Sequence, residues 1–179
     1  MVEKKLIIFD RDGVINELRK PYVRSVLEFQ LYPWTVHALQ HLKVNNYEIA
    51  ICSNQRGVAL GLYSISDLNE IDTAIKNKTQ IQDMHISYCI HNHDDNCDCR
   101  KPKPGMLINT CKQAGVSIDK AIFVGDAITD YYAAEAISMD FCLVLTGYGH
   151  LTSKTVPPKV RRYASILQFA HHITEDLND

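Results

Sequence analysis

An α/β fold built on a mainly parallel sheet is what this sequence predicts, and two observations predict it. Short apolar runs recur along the chain and each stops at a polar residue: residues 6–9 at Asp10, 49–52 at Ser53, and 122–124 at Gly125 and Asp126. Runs this uniformly apolar suit strands covered on both faces, as parallel strands are. Between them the apolar spacing changes to the helical period, and strands alternating with helices give helix layers on both sides of one sheet. The expected architecture is therefore a three-layer α/β sandwich.

In chain order, the first strand covers 6–9. A helix over 34–44 follows, with Ala38, Leu39 and Leu42 on one face, and then the strand over 49–52. Leu68, Ile71 and Ile75 predict a helix over about 67–76, with Ser66 as its N-cap. Strands are expected at 86–90 and 141–145, and a helix over 106–114 that Gly115 stops. Residues 147–158, rich in Gly and Pro, read as a loop, and 165–173 as a closing helix. No repeat or linker interrupts the pattern, so one domain over 1–179 is expected.

Composition removes several classes of function. The 179 residues are 46% hydrophobic and 22% charged, which allows a sizeable core and argues against disorder. Nineteen Lys and Arg against 21 Asp and Glu leave a net charge of −2 without a long basic stretch, which argues against duplex nucleic acid as a general partner. With no apolar run near the length of a membrane helix and no signal-peptide pattern at the start, the expected location is the cytoplasm, away from membranes.

Chemistry concentrates at the strand ends. In an open parallel sheet the ligand crevice lies outside the carboxyl ends of the strands, where Asp10, Asp12, Ser53 and Asp126 fall. Several carboxylates at one rim repel unless a cation neutralises them, and a hard, oxygen-seeking ion such as Mg²⁺ fits. In an extended Asp10-x-Asp12 one carboxylate can attack while the other moves protons, and Gly13 lets the chain turn beneath a ligand.

A second cluster lies in 89–99. Cys89, Cys97 and Cys99 share it with His91 and His93, where chance would place about one such residue, and clustering of this kind reads as a metal site. Three thiolates and one imidazole complete a closed tetrahedral shell of the structural-zinc kind. The assigned ligands are Cys89, His91, Cys97 and Cys99, with His93 as the alternative to His91. Cys52, Cys111 and Cys142 lie in apolar runs and read as core.

Taken together, Asp10-x-Asp12-Gly13, Ser53-Asn54-Gln55, Lys101-Pro102 and Gly125-Asp126-x-x-x-Asp130 resemble the four motifs of the haloacid dehalogenase-type phosphatases over about 5–147. The Cys/His loop running into Arg100-Lys101-Pro102 is similar to the zinc-containing branch that includes heptose 1,7-bisphosphate phosphatases and histidinol-phosphatases. The resemblance implies a Rossmann-like sheet and phosphoryl transfer through an aspartyl-phosphate. It makes Asp10 the nucleophile and Asp12 the acid and base, with Ser53 and Lys101 holding the phosphoryl oxygens. Mg²⁺ would be held by Asp10, the Asp12 carbonyl and Asp126, with Asp130 in support. Asn54, Gln55, Arg56 and Arg100 would face substrate. The intervals between the motifs leave no room for a cap domain of about 50 residues, so loops would recognise the substrate.

That substrate is expected to be a small phosphorylated metabolite, ranked first as heptose 1,7-bisphosphate, because Arg19, Lys20, Arg24, Arg56, Arg100 and Lys103 near the site suit a second anionic group. Histidinol phosphate is the next candidate, since the zinc loop is short and Glu17 could meet an amine. A polynucleotide 3′-phosphatase and a non-catalytic zinc-braced interaction module are the others. No obligate protein partner is implied.

Overall fold

The computed structural model describes residues 5–175. Its elements are β1 (Lys5–Phe9), α1 (Thr35–Val44), β2 (Tyr47–Asn54), α2 (Ile65–Thr79), β3 (His85–Cys89), α3 (Gly105–Ala114), β4 (Ala121–Gly125), α4 (Ile128–Glu135), β5 (Asp140–Val144), α5 (Gly149–Thr152), β6 (Arg161–Tyr163) and α6 (Ile166–Glu175). The six strands form one sheet in the order β3-β2-β1-β4-β5-β6, every pairing parallel. The predicted alternation is therefore realised as a Rossmann-like sandwich. No helix among the described residues is long and apolar enough to cross a membrane.

The alternation of side chains along β1 explains the two cores. Ile7 and Phe9 point to one face and pack with Leu39 and Leu42 of α1, Ile71 and Ile75 of α2, and Phe169 and Ile173 of α6. Leu6 and Ile8 point to the other, against Leu107 and Cys111 of α3 and Ala133 and Ala134 of α4. The four apolar side chains of β1 are fully buried, and this double covering is why the strand reads as an unbroken apolar run.

Two local readings need correction, and one strand has no counterpart in the sequence reading. The N-cap of α2 is Ser64: its hydroxyl accepts from the Asp67 N–H while the Asp67 carboxylate accepts from the Ser64 N–H. Such a reciprocal pair satisfies two otherwise orphaned donors, which Ser66, already within the first turn, cannot do. The stretch expected to be a loop after residue 147 contains α5. The strand β6 went unpredicted, because a three-residue edge strand with two arginines has no apolar run to show.

The sheet reverses its winding between β1 and β4. Loops leaving those two neighbours part to opposite sides and open a crevice, and the chain places Asp10 just past β1 and Asp126 just past β4 at that point.

Candidate active site

Three carboxylates converge at the switch point. Ligand oxygens of Asp10, Asp126 and Asp130 all lie within 4.8 Å of one another, and Asp126 and Asp130 are each 1% exposed. Burial pushes the Asp10 carboxyl up to about 6, against the pull of Lys101 and with the help of Asp130. Burial, then Asp10, raises Asp126 well above the carboxylate range. Groups so crowded want either protons or a cation, and three oxygen donors suit a hard divalent ion.

The backbone is shaped to let these carboxylates meet. Gly13 has φ +91°, and a Cβ there would come 2.3 Å from Asp126 Oδ2. A Cβ on Gly147 would come 2.0 Å from the same oxygen. Two glycines therefore let main chain close on Asp126 from both sides, while the Tyr148 N–H donates to its Oδ2 at 2.7 Å. Asp130, one turn into α4, divides its oxygens: Oδ2 accepts the Ala127 N–H at 3.0 Å and Oδ1 pairs with Lys101.

Among the described residues, Lys101 is the one cation in this cluster. Its Nζ lies 2.9 Å from Asp10 Oδ1, 2.7 Å from Asp130 Oδ1 and 2.9 Å from the Cys52 carbonyl oxygen. Burial alone would lower its pKa; Asp10 and Asp130 outweigh burial and raise it, so the ammonium stays charged. Asn54 fixes its backbone, with Oδ1 accepting the Lys101 N–H at 3.1 Å and Nδ2 donating to the Lys101 carbonyl at 3.0 Å.

Asp12 sits in a cradle of donors. Its Oδ1 takes Arg11 Nε at 3.2 Å, Arg11 Nη2 at 3.1 Å and Asn16 Nδ2 at 2.9 Å, and its Oδ2 takes Arg11 Nη2 at 2.9 Å and Gln55 Nε2 at 2.8 Å. Arg11 is fully buried over the Tyr88 ring, 5.5 Å from its centroid. The Gln55 amide also donates to Ser53 Oγ at 3.1 Å and accepts the Tyr63 hydroxyl at 2.7 Å. Sequence reasoning missed Arg11, Asn16 and Tyr63. A guanidinium between two carboxylates of Asp10-Arg11-Asp12 was a visible signal; Tyr63 gave none.

The Cys/His loop begins where β3 ends. Cys89 Sγ lies 3.6 Å from His91 Nδ1 and 3.7 Å from Cys97 Sγ, and Cys99 Sγ lies 3.3 Å from His91 Nδ1. A tetrahedral zinc ion, with sulfurs at about 2.3 Å and nitrogen at about 2.0 Å, spaces its sulfurs about 3.8 Å apart and sulfur from nitrogen about 3.5 Å. The four residues fit such an ion, all their donor atoms lying within 4.8 Å of one another. His93 lies outside this group and opens a short 3₁₀ turn, His93–Asp95, capped by Asn92. The loop returns to α3 through Gly105, whose N–H donates to the Asp98 carbonyl at 3.1 Å where a Cβ would stand 2.5 Å from that oxygen.

A cleft of about 400 Å³ runs from Asn54 and Lys101 to Asn92, His93, Arg100 and Lys103. Arg56 donates from Nε to Asn92 Oδ1 at 2.8 Å, tying the β2 loop to the Cys/His loop. Arg100 reaches back to the His91 carbonyl at 3.4 Å. Of the other expected cations, Arg24 and Arg19 lie 2.6 Å and 3.7 Å from Glu28, and Lys20 lies over the ring of Tyr148, whose N–H holds Asp126.

The family model described as Polynucleotide kinase 3 phosphatase matches residues 5–148. Two similar proteins are both named D-glycero-beta-D-manno-heptose-1,7-bisphosphate 7-phosphatase. That of Pseudomonas aeruginosa is 36% identical over 83% of this chain and 85% of its own, and that of Pseudomonas putida 38% identical over 86% and 90%. Among solved structures, D,D-heptose 1,7-bisphosphate phosphatase from B. bronchiseptica, complexed with magnesium and phosphate, is 31% identical. It superposes with a TM-score of 0.87 over 96% of this chain and 99% of its own.

Proposed function

Since the chain belongs to the Polynucleotide kinase 3 phosphatase family and is a haloacid dehalogenase-like phosphatase, we propose that it removes one phosphate from a heptose 1,7-bisphosphate, the 7-phosphate, with Mg²⁺ as cofactor. The observation that carries the reaction is Lys101 Nζ held between Asp10 and Asp130 beside the Asp126 carboxylate. The substrate rests on the names of the relatives and on the basic cleft beside Lys101.

Asp10 attacks phosphorus, a P–O bond forms, and the bond from phosphorus to the sugar oxygen breaks. Asp12 gives that oxygen its proton, then takes one from the water that hydrolyses the aspartyl-phosphate, and Asp10 is restored. Ser53 and Lys101 hold phosphoryl oxygens in place as charge develops on them. Asp10, the Asp12 carbonyl and Asp126 would hold Mg²⁺, which when bound neutralises the phosphoryl group and the carboxylates around it. Asn54 works at one remove by fixing the Lys101 backbone.

Cys89, His91, Cys97 and Cys99 would hold a structural zinc, which when bound would stiffen the loop presenting Arg100 and Lys101. Arg100 and Arg56, lining or bracing the cleft, address the phosphate that is not cleaved.

The family match alone also favours a 3′-phosphorylated nucleic acid, which the net charge of −2 opposes. Measuring kcat/KM with Mg²⁺ on heptose 1,7-bisphosphate, histidinol phosphate and a 3′-phosphorylated oligonucleotide separates the readings. The bisphosphate is expected to lead by about a hundredfold or more, and phosphorus NMR should show the sugar keeping its 1-phosphate. A lead for either competitor refutes the assignment.

A further inference from the structure

The Gln55 amide is a branch point whose orientation decides what its neighbours can do. Both Gln55 and Tyr63 are buried, at 1% and 7% exposure. The Tyr63 hydroxyl donates its single hydrogen to Gln55 Oε1 at 2.7 Å. Gly57 leaves the space this needs, since a Cβ there would stand 2.0 Å from the Tyr63 ring. Turned over, the amide would set Oε1 against the Asp12 carboxylate and leave the phenolic hydrogen buried without an acceptor, both of which are costly.

We propose that Tyr63 is a positioning residue for phosphoryl transfer: by holding Gln55 Oε1 it keeps Nε2 aimed at Ser53 Oγ, so that the Ser53 hydroxyl donates its hydrogen to the transferring phosphoryl group. The logic is one of polarity. Nε2 carries two hydrogens, one for Asp12 Oδ2 and one for Ser53 Oγ. A Ser53 oxygen that accepts from Gln55 cannot donate to Gln55, and its own hydrogen is free for the ligand. If Gln55 turned over, Ser53 would donate to Oε1 and be lost to the phosphoryl group. Burial pushes the Tyr63 phenol up to about 12, so it remains a donor throughout the neutral range. The inference rests on Ser53 as a phosphoryl ligand.

The test compares wild type, Tyr63→Phe, Gln55→Leu and the double variant on heptose 1,7-bisphosphate with Mg²⁺. Phe keeps the packed ring and removes only the hydroxyl, and thermal melts check folding. Tyr63→Phe is expected to lower kcat about 3- to 10-fold, the weight of one neutral hydrogen bond, with KM changed less than about twofold. Added to Gln55→Leu it should cost nothing more, because the residue it acts through is gone. Where Gln55→Leu is too slow to assay, calorimetric binding of inorganic phosphate with Mg²⁺ reads the same coupling. An unchanged kcat in Tyr63→Phe, or losses that multiply in the double variant, overturns this inference while the phosphatase reading stands. An inactive wild type overturns both.

Discussion

Replacing Lys101 with Met keeps most of the side-chain volume and removes the cation that pairs with Asp10 and Asp130. Nζ is 2.7 Å from Asp130 and 2.9 Å from Asp10, and the side chain is 2% exposed, so the variant leaves buried carboxylates without their counter-ion. Breaking a buried pair in this way costs about 3 to 5 kcal/mol. At roughly 2–4 °C per kcal/mol for a chain this size, the melting temperature should fall by about 6–20 °C. The loss depends on pH with a definite sign. The folded Asp10 carboxyl, at about 6, already lies above its unfolded value of 3.8, and losing Lys101 raises it further. A raised carboxyl binds its proton more tightly in the folded state, so keeping it charged costs stability that appears as pH climbs from about 4 through about 6 and above. Melts of both proteins in chelator should therefore differ most near pH 8 and least near pH 5. The same variant should lose about 10²- to 10³-fold in kcat, as expected when a fixed charge beside the reacting group is removed. A variant as stable as wild type at pH 8, or a deficit equal at both pH values, would refute the reasoning.

Asp10→Asn keeps the shape of the proposed nucleophile but removes its charge, and steady-state turnover should fall below about one per cent of wild type. Protein prepared without chelator should carry one zinc per chain by elemental analysis; Cys97→Ser should lose that zinc and melt lower, and a zinc-free wild type would remove the assignment. Arg100→Ala should cut kcat/KM on the bisphosphate roughly 10- to 150-fold and barely touch p-nitrophenyl phosphate, which has no distal group. Equal losses on both substrates would move Arg100 to the phosphoryl site.

Much of the fold was legible because its signals are local. The strand β1 betrays itself in four consecutive apolar side chains, all fully buried, ended by Asp10. The C-terminus of α3 is written in Gly115, which adopts φ +66°. By contrast, β6 exists because β5 offers it an edge to pair with, a cause that lies outside its own three residues. The site divides along the same line. Lys101, in the loop before α3, was placed only by the resemblance of its motif. Asp10, Asp12, Ser53 and Asp126 sit at strand ends whose place follows from topology, so their convergence could be argued from the alternation alone. The donor network around Asp12 could not. Arg11 stood inside a motif as an unassigned position, and its bidentate grip needs the turn that Gly13 makes possible. Tyr63 reaches Gln55 across a loop that closes only because Gly57 has no side chain. Among the histidines, spacing left His91 and His93 open, and the backbone brings His91 to the thiolates.

If these strand-end residues pass a phosphoryl group through Asp10, an acyl phosphate forms there during turnover. Acid quenching during turnover of heptose 1,7-bisphosphate with Mg²⁺, followed by peptide mass mapping, tests it most directly, because an acyl phosphate survives acid long enough to be located. The phosphoryl group is expected on Asp10 in the wild type and nowhere in Asp10→Asn. A phosphorylated residue elsewhere, or turnover undiminished in Asp10→Asn, would contradict the account.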